Sequence, residues 1–136
     1  MRRLKTALRL LLAVAMVAVG VAHFVHPAGF VRIVPAFLPA PLALVLISGA
    51  AEITGGLGLL IPRTQRLAAW GLIALYLAVF PANINMAIHQ IPLGDAPMDP
   101  RMLWWRLPFQ ALFIAWAYWF TRPEPVEKRP DDSRAL

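Results

Sequence analysis

Charged residues fall in clumps along this chain, and the uncharged stretches between them set the architecture. From Arg9 to Arg32 there are 22 residues without a charge, from Arg66 to Asp95 there are 28, and from Arg106 to Arg122 there are 15. Between Arg32 and Arg63 lie 30 residues whose only charge is Glu52. Within these stretches the apolar residues run continuously and do not alternate at every second position, which favours helices over barrel strands. A helix needs about 20 mainly apolar residues to cross a bilayer, within a range of roughly 17–25. Four spans fit, over about residues 6–26, 41–61, 67–89 and 100–121. The pattern predicts an all-α, integral membrane four-helix bundle, since hydrocarbon demands that every backbone polar group be paired within the spanning element.

Helix-breaking residues agree with the four spans. Pro27 and Gly29 stop the first, and Pro35, Pro39 and Pro41 make the connection that follows too proline-rich for helix. Phe30, Val31, Ile33, Val34, Phe37 and Leu38 make that connection apolar, which places it in the membrane interface. Pro62 ends the second span, and Pro92 with Gly94 follows the third. Asp99-Pro100 is a start signal for the fourth, an N-cap acceptor followed by proline at the first helical position. The tail 122–136 holds four basic residues, four acidic residues and three prolines, and reads as a solvated, disordered cytoplasmic segment.

Composition removes most alternatives. Of 136 residues, 60% are hydrophobic and 15% charged, against about 45–50% and about 25% in an ordinary globular domain. So much apolar surface excludes a soluble enzyme. The absence of cysteine excludes disulfides, thiolate metal sites and a thiol relay within the chain. The net charge of +6 is a topology signal. Arg2, Arg3, Lys5, Arg9, Arg63, Arg66, Arg122, Lys128, Arg129 and Arg134 share one side of a four-span arrangement, and only Arg32, Arg101 and Arg106 fall on the other. That bias puts both termini in the cytoplasm and leaves no nucleic-acid motif. Arg2–Lys5, the apolar run and Gly20-Val21-Ala22 also resemble a cleavable signal peptide, although the run is long for one and three more spans follow.

The polar residues inside the spans carry the candidate chemistry. Glu52 lies about 17 Å from the outer end of its helix, at 1.5 Å per residue. A mid-membrane carboxylate costs roughly 2.5–3.5 kcal/mol on insertion scales, so it is by default a functional-site candidate. Ser48, Gly49, Gly55, Gly56 and Leu59 share its face, a small and polar stripe that turns Glu52 into the bundle. Gly49, Gly55 and Gly56 are read as helix-packing residues. On the other helices His23 is about 5 Å, Asn83 about 8 Å, Arg106 about 9 Å and Gln110 about 15 Å from the outer ends. Pro81 frees the carbonyl of Leu77 beside this cluster. These residues are expected to form one pocket opening outward, with Glu52 and Gln110 at its floor, Ser48, Asn83 and Arg106 on its walls and His23 near its mouth. A Glu52–Arg106 ion pair is expected across it.

Plainer readings apply to the same residues. A Glu–Arg pair with Gln and Asn can fasten four helices together by interhelical hydrogen bonds. His26 and His89 are expected at the surface, and three histidines without tight spacing predict no metal site. Trp104, Trp105, Trp116 and Trp119 fit aromatic belts at the two ends of the fourth span. The small-residue stripe can pack within one chain or between two, so a homo-oligomer is open.

Several segments together resemble DoxX-like membrane proteins. They are His23-Phe24, Pro27 and Phe30, Ile33-Val34-Pro35 with Leu38-Pro39, Ile47-Ser48-Gly49 with Glu52, Gly55–Leu60 with Pro62, Val79–Asn83, and Arg106-Leu107-Pro108 with Gln110. The resemblance covers roughly residues 10–121. It implies a four-helix bundle in the bacterial cytoplasmic (inner) membrane, with members tied to thiosulfate:quinone oxidoreductase or to complexes handling oxidative and thiol stress. On that footing the pocket would take a quinone or small redox metabolite, non-covalently, and the partners would be subunits of a membrane oxidoreductase. Glu52 would accept or relay a proton, while Arg106, Asn83 and Gln110 would hold oxygens. The alternative is a non-catalytic assembly protein whose polar cluster only fixes the bundle.

Overall fold

A computed structural model describes residues 1–122, so the expected tail, with Lys128, Arg129 and Arg134, lies outside the described residues. The described residues form five helices: α1 (Arg2–Val25), α2 (Pro27–Ile33), α3 (Pro41–Leu60), α4 (Gln65–His89) and α5 (Pro100–Trp119). The four long ones fall within a few residues of the four spans read from the sequence. Three of them, α1, α3 and α4, are long and apolar enough to cross a membrane. α5 equals α3 in length, at 20 residues, but Arg101, Arg106 and Gln110 keep it out of that group.

α2 corrects the expectation that residues 27–40 hold no helix. Pro27 is at the first turn, where a missing N–H costs nothing. The helix stops at Ile33 because Val34 precedes Pro35 and is held extended, with φ −66° and ψ 126°. Gly29 lets α2 meet the 90–99 connection: a Cβ there would clash with the Leu93 carbonyl oxygen. Asn85 Nδ2 donates to the Ile33 carbonyl at 2.9 Å and fixes the end of α2 to α4. The start of α5 follows its sequence signal, with Asp99 accepting from the Arg101 backbone N–H at 2.8 Å. α4 and α5 continue through Pro81 and Pro108.

The long helices pack in the order α1–α3–α4–α5, and α2 lies over one end of α3 and α4. The α1–α3 crossing is close because glycines form it. A Cβ on Gly20 would come 2.7 Å from the Gly49 carbonyl oxygen, and one on Gly56 would come 2.8 Å from that of Ala13. Such small-residue crossings let dispersion and backbone proximity hold helices where no hydrophobic force acts between them. Leu12, Met16, Leu59, Leu72, Tyr76, Ala117 and Phe120 belong to the main core at the end away from α2. Ile33, Met86 and Leu103 make a smaller core near α2. The outer faces of the long helices are apolar and exposed, with Leu11, Val14, Leu77, Ile88 and Leu112 among them. An apolar coat that extensive suits lipid contact.

Candidate functional site

Between the two cores lies a polar layer. Val45, Gly49, Glu52, Gly56 and Leu59 are the buried stripe of α3, so Glu52 points inward as its helical face requires. Glu52 and His23 are each 7% exposed, and His23 Nδ1 lies 3.2 Å from Glu52 Oε2. The geometry of antiparallel helices brings them together. Side chains lean toward the N-terminus of their own helix, so His23 on α1 and Glu52 on α3 lean toward one another. Gly49, whose added Cβ would sit 2.6 Å from His23 Cβ, permits the approach.

The contact is not a satisfied hydrogen bond. His23 Nδ1 is also 2.9 Å from the Val19 carbonyl oxygen. A backbone carbonyl can only accept, so the bond to Val19 assigns the proton to Nδ1. Glu52 Oε2 is buried and receives no hydrogen bond. Phe30 of α2 stacks on the His23 ring, with centroids 3.9 Å apart and planes 19° from parallel. His23 is therefore a buried partner of the carboxylate and not a residue near the pocket mouth, which corrects the expectation. His26 and His89 are exposed, as expected.

The expected Glu52–Arg106 pair is replaced by the Glu52–His23 contact. α4 lies between α3 and α5 in the packing order, so Arg106 approaches from the far wall. Among the described residues its guanidinium has no ion pair or hydrogen bond. It is half-buried and lines two cavities, of about 570 Å³ and about 420 Å³, that share Val19, Glu52, Val79, Asn83 and Arg106. Each falls in the roughly 300–1,000 Å³ range of small-molecule sites. Both hold a carboxylate and an unpaired cation within mostly apolar walls.

Gln110 and Ser48 are committed elsewhere. Asn83 Nδ2 donates to Gln110 Oε1 at 2.7 Å, and Gln110 Nε2 donates to the Tyr76 carbonyl. That carbonyl neighbours the Leu77 carbonyl, which Pro81 leaves without its helical donor. Gln110 lines only the larger cavity and ties α5 to α4. The Ser48 hydroxyl lines the smaller one and donates to its own helix, at 2.9 Å to Leu44 O and 3.0 Å to Val45 O. Trp104, Trp105 and Trp119 are exposed near the two ends of α5, whereas Trp116 is half-buried and stacks on Phe113 at 5.7 Å.

Several contributors were not singled out from the sequence. Gly20 had a signal in its three-residue spacing from His23. Tyr76, whose hydroxyl bonds to Met16 Sδ at 2.8 Å, and Phe30, which belongs to the apolar connection after the first span, take their roles from which helices are neighbours, and no local pattern gives that.

Fold and site together define an all-α bundle with three helices able to span a membrane and a buried polar layer facing two cavities. A family model for a domain of unknown function (DUF8561) matches residues 12–121, and the chain belongs to that family. The match takes in the whole polar layer. No curated protein and no solved structure matches the chain.

Proposed function

We propose that this is a four-span membrane protein with both termini cytoplasmic, whose outward-facing cavity binds a quinone or a similar small redox metabolite. It would serve as an accessory subunit of a membrane oxidoreductase in the bacterial inner membrane, as the DoxX-like resemblance implies. The observation that carries this reading is Glu52: a carboxylate 7% exposed, with a buried oxygen that receives no hydrogen bond, across the cavity from Arg106, which is unpaired among the described residues. Burying charge without a partner is costly, and a ligand that gives an acceptor oxygen to Arg106 and, in its reduced quinol form, an O–H to Glu52 would offset that cost. When bound, a quinone supplies two-electron, two-proton redox chemistry. Arg106 would donate to a carbonyl oxygen, and the Glu52–His23 pair would hold or release a proton.

A second reading, in which the layer only assembles the bundle, draws on the Asn83–Gln110–Tyr76 chain, whose groups satisfy one another. Thermal unfolding with a decyl-substituted benzoquinone separates the two. Ligand at about 100 times Kd stabilises a folded state by about 2.7 kcal/mol, so the wild type should melt several degrees higher and Glu52→Gln and Arg106→Gln should not respond. No response in any of the three, with both variants less stable, favours assembly.

A further inference from the structure

The two cavities have different walls. The smaller is closed at one end by α2 and the segment after it, through Phe30, Ile33, Pro35 and Leu38. The larger has no α2 residue in its lining; it lies between Met16 and Val19 of α1 and the Met102–Phe113 stretch of α5. α1 and α5 are the two ends of the packing row. Away from α2 they are joined through α4, where Leu12 and Ala13 share a core with Ala69, Leu72, Ala117 and Phe120. There Arg9 Nη1 donates to Gln65 Oε1, and Gln65 Nε2 reaches the Phe120 carbonyl at 3.5 Å. Toward α2 the larger cavity lies between residues of the two helices.

We propose that the ligand of this cavity is a membrane-dissolved amphiphile that enters sideways from the bilayer between α1 and α5. It sets an oxygen-bearing polar end against Arg106 and Glu52 and lays its tail along Met102, Trp105 and Phe109. The proposal rests on the reading of the Glu52 cavity as a ligand site and adds the class of ligand and its route. The rim side chains are apolar and open: Met102 is 58% exposed, Trp105 63% and Phe109 55%. The polar groups, Glu52, Asn83, Arg106 and Gln110, are less exposed than this rim. A molecule with a polar end and an apolar body matches that gradient, and flexible Met16, Met98 and Met102 adapt to a tail. A second copy of the chain fits less well. Neither α1 nor α5 carries an acidic residue to meet Arg106, so a copy docked through these faces would leave that cation unpaired.

The chain lacks cysteine, so one introduced thiol reports access without background. Val79 lines both cavities, and Val79→Cys is a small change; Val19→Cys, also on the shared wall, is the second variant. Each variant is reconstituted in liposomes and exposed to pyrene maleimide, which dissolves in the membrane, or to a charged sulfonate methanethiosulfonate from either side. Labelling is repeated with decyl-ubiquinone or tailless tetramethylbenzoquinone, both fully substituted and inert to the thiol. Pyrene maleimide should react at least about tenfold faster, relative to its rate with a free thiol, than the sulfonate does. Decyl-ubiquinone should slow labelling about tenfold where the tailless quinone does not, and adding Arg106→Gln should abolish that protection. Sulfonate labelling as fast as that by pyrene maleimide overturns lateral entry. Equal protection by the two quinones overturns the tail cleft and leaves the pocket reading standing, whereas protection by neither overturns both. Labelling in detergent but not in the bilayer places a second copy over the cleft and overturns the proposal.

Discussion

His23 and Glu52 face each other at 3.2 Å across the α1–α3 crossing, yet the imidazole N–H is directed to the Val19 carbonyl and the carboxylate oxygen is left without a donor. A buried pair so arranged adds little to stability, because desolvation offsets its attraction. Glu52→Gln, which keeps shape and removes charge, is therefore expected to melt within about 1 kcal/mol of wild type, or above it. Thermal unfolding followed by size-exclusion recovery measures this. A loss of several kcal/mol would make Glu52 a structural fastener.

The closeness of α1 and α3 depends on glycine. Gly20→Ala puts a Cβ 2.7 Å from the Gly49 carbonyl oxygen, which cannot move without the helix. The expected cost is about 1–3 kcal/mol. Gly71→Ala is the control, since nothing lies within 4 Å of its Cβ position; in a helix interior it should gain roughly 0.5–1 kcal/mol. Equal responses of the two variants in a thermal shift would contradict the crossing.

Gln110 ties α5 to α4 through bonds at both ends of its amide. Gln110→Leu removes both and strands the Asn83 amide, and should destabilise by about 0.6–1.7 kcal/mol, from the average to the largest value measured for interhelical hydrogen bonds in a membrane protein. In a double-mutant cycle, Asn83→Leu added to Gln110→Leu should cost clearly less than Asn83→Leu alone. Strict additivity would show that the pair does not couple.

Two non-glycine residues occupy the left-handed region, Ala40 at φ 48° and Gln90 at φ 52°. Gln90 ends α4, with the Ile91 N–H returning to the Met86 carbonyl at 3.1 Å. Glycine adopts this conformation without a Cβ clash, so Gln90→Gly should stabilise by about 1 kcal/mol. A fall in melting temperature would argue against this cap.

Much of the fold is legible in the sequence. The four long helices follow from uncharged run lengths, and Asp99-Pro100 marks the start of α5 by its own chemistry. The inward turn of Glu52 follows from helical periodicity alone, because Gly49 and Gly56 lie on its face. Its partner does not. Depth along each helix, counted from helix ends taken as level, set His23 and Glu52 a dozen ångströms apart. In the structure the crossing puts Gly20 beside Glu52 and His23 beside Gly49, and opposite side-chain lean closes the remaining turn. Arg106 has the reach for Glu52, but which helix separates them is a property of packing order that no local pattern encodes. α2 is hidden in the sequence because a proline signals a break as readily as a start, and at Pro27 it is an initiator.

Native mass spectrometry of the gently extracted protein, wild type beside Glu52→Gln and Arg106→Gln, tests the central claim most directly. A single oxygen-bearing amphiphile bound to wild type and lost from both variants is expected. Wild type and variants equally empty, with the variants merely less stable, would contradict a ligand site at Glu52.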